Sequence, residues 1–130
     1  MKPRYLLDTH ALVFAAQNEG ALGAKSRHLL KTAAHGEIVT PSHAIVELGR
    51  LIEEGRVITP GRPADWFAPA LARFPVIPAS LEAAIAAPVL GLPHSDPYDR
   101  LIVAEAIHRG LTLITKDGNI TDSGVVRVIW

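Results

Sequence analysis

Four acids in this chain carry the most chemical potential: Asp8, Glu47, Asp99 and Asp117. Asp8 and Asp117 follow the ends of strand-like runs, the places from which an open parallel sheet offers side chains to a crevice, Asp99 falls near a helix start and Glu47 in the second turn of a helix. Carboxylates that converge repel one another, and keeping several ionised together requires a cation. Hard oxygen donors favour Mg²⁺ or Mn²⁺. A divalent ion in such a setting acidifies water, holds a phosphodiester in line and stabilises the leaving oxygen, so hydrolysis needs no covalent enzyme intermediate. The chain has no cysteine, which excludes a disulfide or a thiolate metal site.

Each acid also has an ordinary structural reading. Asp8 can cap the helix that follows it, Asp99 can complete a capping pair with Asp96, Glu47 can pair with Arg50, and Asp117 can sit in a turn. A histidine-based metal site is a third reading. His43 and Glu47 stand four apart, and His10 and His94 lie beside proposed acids, as substrate contacts or solvated side chains. The zinc-protease pattern H-E-x-x-H is absent, which keeps oxygen-bound Mg²⁺ or Mn²⁺ first.

The elements that must position the acids follow from periodicity and punctuation. Tyr5-Leu6-Leu7 reads as a strand and His10 to Gln17 as a helix. Gly23 to His35 is an amphipathic helix stopped by Gly36, and Glu37-Ile38-Val39 a second strand. Thr40-Pro41 predicts a capped helix start, with Glu47 at the edge of the stripe Ala44, Ile45, Leu48, Leu51 and Ile52. A loop over 57–63, a helix over 64–73 and a strand at Val76-Ile77 come next, then a helix over 80–87 with Ser80 as its cap. Asp96-Pro97 opens another helix, ended by Gly110, in which Asp99 shares a face with Ile102, Val103 and Ala106. Leu111 to Thr115 is the fourth strand, Lys116 to Asn119 a turn, and Val125 to Trp130 an edge strand. Alternation of this kind predicts a three-layer α/β/α sandwich with a mostly parallel sheet of four to five strands. If the first and fourth strands are neighbours, Asp8 and Asp117 face one crevice.

With 130 residues, 48% of them apolar, the chain suits one domain spanning 1–130. Thirteen basic and thirteen acidic residues leave no net charge, so composition gives no electrostatic argument for nucleic acid, although bound cations would supply charge that composition does not show. The start Met1-Lys2-Pro3-Arg4 has no secretory pattern, and prolines interrupt the weakly charged stretch from Phe74 to His94. The expectation is a cytoplasmic protein with no membrane segment.

The segments Leu6-Leu7-Asp8-Thr9-His10, Glu47-Leu48-Gly49-Arg50-Leu51, Asp96-Pro97-Tyr98-Asp99-Arg100-Leu101-Ile102 and Thr115-Lys116-Asp117 resemble the PIN-domain family, and its VapC-like toxin branch most. The likeness runs from about residue 5 to Val128-Ile129-Trp130, and its most specific block is D-P-[FY]-D-R-L. It implies that Asp8, Glu47, Asp99 and Asp117 form the family's acidic cluster, supported by the hydroxyls of Thr9 and Thr115. Asp96 matches the motif too, but its cap position supplies a sufficient structural reason. Arg100 is a phosphate contact or the partner of a nearby acid. The resemblance further implies a ribonuclease acting on RNA, a homodimer, and a small antitoxin that silences it by filling the groove. Trp66, Phe67 and Phe74 are core residues before they are interface residues.

Two rivals belong to other classes. A non-catalytic RNA- or protein-binding module would keep the fold, but acids facing a groove oppose RNA, and its binding would ignore EDTA. A phosphatase using Asp8 as nucleophile would pass through an aspartyl phosphate, yet Asp8-Thr9-His10 lacks the second aspartate of the Asp-x-Asp motif of haloacid-dehalogenase-like phosphatases.

Overall fold

The computed structural model describes residues 2–92 and 96–130; His94 lies outside the described residues. In chain order the elements are β1 (Tyr5–Leu7), α1 (Thr9–Gln17), α2 (Ala24–Thr32), β2 (Ile38–Pro41), α3 (Ser42–Glu53), α4 (Pro63–Arg73), β3 (Val76–Ile77), α5 (Leu81–Ala86), α6 (Pro97–Arg109), β4 (Thr112–Ile114), α7 (Gly118–Ser123) and β5 (Val128–Ile129). All strand pairings are parallel, in the order β3-β2-β1-β4-β5.

Three layers arise because neighbouring strand residues point to opposite faces. Leu7, Ile38 and Ile114 face a core built with Ala11, Leu12, Leu30, Leu51 and Phe67. Their neighbours Leu6, Val39 and Leu113 face a second core with Ile102, Val103, Ala106 and Ile120. Helix α3 serves both, giving Leu48 and Leu51 to the first core and Ala44 to the second. Both faces of the sheet are therefore covered, as a parallel sheet requires.

The chain leaves β1 toward β2 and β3 on one side, then returns to place β4 and β5 on the other. Strand order thus reverses between β1 and β4, whose residues Leu7 and Ile114 are register partners. The carboxyl ends of those two strands open the crevice that this topology creates.

The region after β2 departs from the expected helix start. Thr40 caps nothing: it is fully buried, its amide donates to the Pro75 carbonyl (2.9 Å) and its hydroxyl to the Phe74 carbonyl (2.8 Å). Pro41 pairs with Ile77 as the last residue of β2, and α3 begins at Ser42 with no side-chain cap. Pairing with β3 across the sheet satisfies more backbone than a local cap could, so the long-range contact prevails. The segment expected as a turn after β4 instead forms α7, with Asp117 as its N-cap. The last strand is shorter than expected, and Val125 and Val126 pack on the second core without joining the sheet.

Two glycines answer to geometry. Gly110 ends α6 in the left-handed conformation, φ +68°. Gly23 precedes α2 where a Cβ would lie 2.4 Å from the carbonyl carbon of Trp130, so only hydrogen fits there.

Candidate active site

Asp8 leaves β1 and enters α1 as its N-cap. Its Oδ1 accepts from the Ala11 amide at 2.8 Å, and its Oδ2 accepts from the Thr115 hydroxyl. Thr115, fully buried at the end of β4, also accepts the Asp117 amide at 3.1 Å. Asp117 in turn caps α7, with its Oδ1 accepting from the Ile120 amide at 3.0 Å. One threonine therefore ties together the two strand-end acids that straddle the reversal in strand order.

Glu47 approaches from α3. It is 7% exposed, and its Oε1 accepts from the hydroxyl of Thr9, which is buried beside Asp8. Arg50 does not pair with it; Arg50 bridges Glu54 at 3.4 Å instead. Helix α6 brings Asp96 as N-cap, accepting from the Asp99 amide at 2.8 Å, and Asp99 in the first turn. Asp8, Asp96 and Asp117 thus each hold a helix start and also face the cleft. The capping reading and the cleft reading describe the same side chains.

The five acids Asp8, Glu47, Asp96, Asp99 and Asp117 line one cleft of about 390 Å³, together with His10, Phe14, Arg50, Leu51, Arg56 and Lys116. Among the described residues, Glu47, Asp96 and Asp99 form the tightest group, with one carboxylate oxygen from each lying within 4.8 Å of the others. Asp96, placed second to the other acids by the sequence because its cap position explained it, sits inside this group.

Electrostatics mark the cleft as unfinished. Burial, then the neighbouring charges of Asp96, Glu47, Asp117 and Asp8, push the Asp99 carboxyl up to about 7. Burial also raises Asp8, against the opposing pull of the Thr115 hydroxyl, the Ala11 amide and His10. Among the described residues no Lys or Arg forms an ion pair with any of the five acids. An all-oxygen set of this kind fits Mg²⁺ or Mn²⁺, hard ions that take carboxylates and retain water.

Arg100 lies elsewhere. Its guanidinium donates to the carbonyls of Ala87, Pro88, Leu90 and Leu92, at 2.5–3.4 Å, so it fastens residues 87–92 and forms no ion pair with an acid among the described residues. Three side chains that sequence reasoning left out, Phe14, Arg56 and Lys116, line the cleft. Position next to Asp117 was the available signal for Lys116; for Arg56 there was none, because a tight turn after α3 folds it back.

The PIN domain family model matches residues 5–124. No curated protein sequence matches the chain. Among solved structures, VapBC from Salmonella typhimurium bound to DNA superposes with a TM-score of 0.76 at 21% identity, covering 98% of this chain and 97% of that one. VapBC2 from Rickettsia felis bound to a promoter DNA fragment gives 0.68 at 20% identity, with 100% and 99% covered. FitAcB from Neisseria gonorrhoeae gives 0.65 at 18% identity, with 97% and 96% covered. The family match over residues 5–124, almost the whole chain, establishes that this chain belongs to the PIN domain family.

Proposed function

We propose that residues 1–130 act as one metal-dependent endoribonuclease domain, the cytoplasmic toxin of a toxin–antitoxin pair. The observation that carries the reading is the cleft of five acids, none paired with Lys or Arg among the described residues, in which Asp99 is pushed up to about 7. The VapBC complexes to which the chain is similar support the toxin assignment.

Glu47, Asp96 and Asp99 would hold Mg²⁺ or Mn²⁺, with Asp8 and Asp117 completing the acidic wall. When bound, such an ion supplies Lewis acidity, lowering the pKa of water and neutralising charge on the phosphodiester. The chain's own groups do the positioning. Thr9 fixes the Glu47 carboxylate and Thr115 fixes Asp8, so neither acid spends entropy finding its rotamer. With its carboxyl pushed up to about 7, Asp99 is partly protonated near neutral pH, so holding a cation there would favour release of that proton.

Two partners complete the reading. A small antitoxin would silence the enzyme by filling the cleft. A second copy would cover the apolar stripe of Leu81, Ile85 and Val89, exposed by 71%, 68% and 83%, since patches of this kind mark interfaces. Among the described residues no helix is long and apolar enough to cross a membrane.

The deciding experiment is cleavage of labelled RNA by purified, antitoxin-free protein with Mg²⁺ or Mn²⁺, beside EDTA and beside Asp8→Asn and Asp99→Asn. Cleavage that needs metal and disappears in both variants is expected. Cleavage that survives the substitutions overturns the assignment, and metal binding without cleavage of varied RNAs favours the binding module.

A further inference from the structure

The acids account for only part of the cleft. Its walls also carry three fixed cations, Arg50, Arg56 and Lys116. None of the three is an ion-pair partner of the five acids, so neutralising the acidic wall is not what holds them there. Two of them lie over aromatic rings. The Arg50 guanidinium carbon is 5.6 Å from the centre of the Tyr98 ring, and the Lys116 ammonium is 5.7 Å from that of Phe14. Phe14 itself leans on Trp130, ring centres 6.2 Å apart.

A cation resting on a ring is attracted by the ring's negative face and loses rotamer freedom before any ligand arrives. Arg50 is further steered by Glu54, and Arg56 by the turn at Gly55 (φ +73°), after which the Arg56 amide donates back to the Leu51 carbonyl at 2.9 Å. The placement is two-sided. Arg50 lies one turn beyond Glu47 on α3 and rests on α6, whereas Lys116 directly precedes Asp117 after β4 and rests on α1.

We propose that Arg50, Arg56 and Lys116 are phosphate-binding residues that hold the RNA backbone across the acid cleft, gripping it on both sides of the phosphate to be cut. This assignment rests on the ribonuclease reading above. Five carboxylates and three cations leave the wall negative, so backbone binding must come from discrete cations flanking the acids, together with any metal between them.

The test measures KM, kcat and the salt dependence of binding for a labelled RNA oligonucleotide. The variants are Arg50→Ala, Arg56→Ala, Lys116→Ala and Arg50→Lys, with Lys31→Ala, exposed and outside the cleft, as control. Each alanine variant is expected to raise KM by about tenfold at low salt, with kcat within about threefold, and to flatten the plot of log affinity against log salt by about 0.7 per cation lost. Arg50→Lys should keep the salt slope while losing part of the affinity, because the forked guanidinium donors are gone. Unchanged KM and slope in an active enzyme would overturn the assignment. If the wild type cuts nothing, the ribonuclease reading fails separately: salt-dependent binding lost in Lys116→Ala would still uphold the phosphate contacts, and binding that ignores all three substitutions would remove them too.

Discussion

Helix α6 carries two carboxylates less than two turns apart whose surroundings are opposites. Glu105 is 0% exposed, yet every need of its charge is met. It accepts from the Ser80 amide and the Ser80 hydroxyl, each at 2.9 Å, and from Arg109 Nε at 2.7 Å. Burial pushes its pKa up, but those donors and the Arg109 charge outweigh burial and hold it below the usual carboxylate range. Asp99, at the start of the same helix, is more exposed and is pushed the other way, up to about 7, with four acids around it. Depth of burial therefore does not separate a structural acid from a functional one. What separates them is whether the fold provides the counter-charge.

The largest expected effect tests the functional side of that contrast. Asp99→Asn should lower metal-dependent cleavage by more than ~100-fold, beyond what loss of an outer support costs. The metal-free variant should melt no lower than wild type, because a repelled charge has been removed. A lower melting temperature in EDTA would show that Asp99 is structural after all.

Glu105→Ala should do the reverse, destabilising the fold by about 2–3 kcal/mol through unpaired Arg109 and Ser80 groups, measured by urea unfolding, while the remaining folded protein keeps its metal affinity. The figure is kept below that for a fully buried pair because the Arg109 side chain is 31% exposed. An unchanged unfolding midpoint would remove Glu105 from the structural class.

Thr115→Val should leave the core packed but free the Asp8 carboxylate and the Asp117 amide, reducing metal affinity by about tenfold or more, as read by calorimetry. Retained affinity would mean that the cleft needs no positioning hydroxyl.

The smallest effect is a slope. A carboxyl raised in the fold contributes stability that is fully present below its unfolded pKa of about 3.9 and is lost as pH rises toward about 7. In EDTA, the stability advantage of Asp99→Asn over wild type should therefore grow between those two values. Glu105 has the opposite sign, its contribution being lost only as pH falls through its lowered pKa. A flat difference for Asp99 would show that its proton is not held by the cluster.

Much of this contrast was legible in the sequence, and the remainder shows what sequence lacks. The ends of β1 and β4, the Asp96-Pro97 helix start and the inward face of Asp99 all follow from local patterns, and all appear in the fold. Thr40-Pro41 misled because its local capping signal is strong, whereas the carbonyls of Phe74 and Pro75 that claim Thr40 lie far along the chain. Asp96 ranks second in the sequence because its cap position is a sufficient local cause; its approach to Glu47 depends on the folded sheet, which alone brings the two near. Glu105 gave no signal, since its partner Ser80 lies across the α5–α6 contact.

Three cleft acids, Asp8, Asp96 and Asp117, are also helix caps, and asparagine caps a helix about as well as aspartate does. Aspartate and asparagine codons differ by one base. A gene for this protein is therefore one point mutation, at any of three places, from encoding a full-length chain that keeps its helix starts but has lost a charge from its active cleft. On the proposed function, such a copy would still fold and could still engage an antitoxin while no longer cutting.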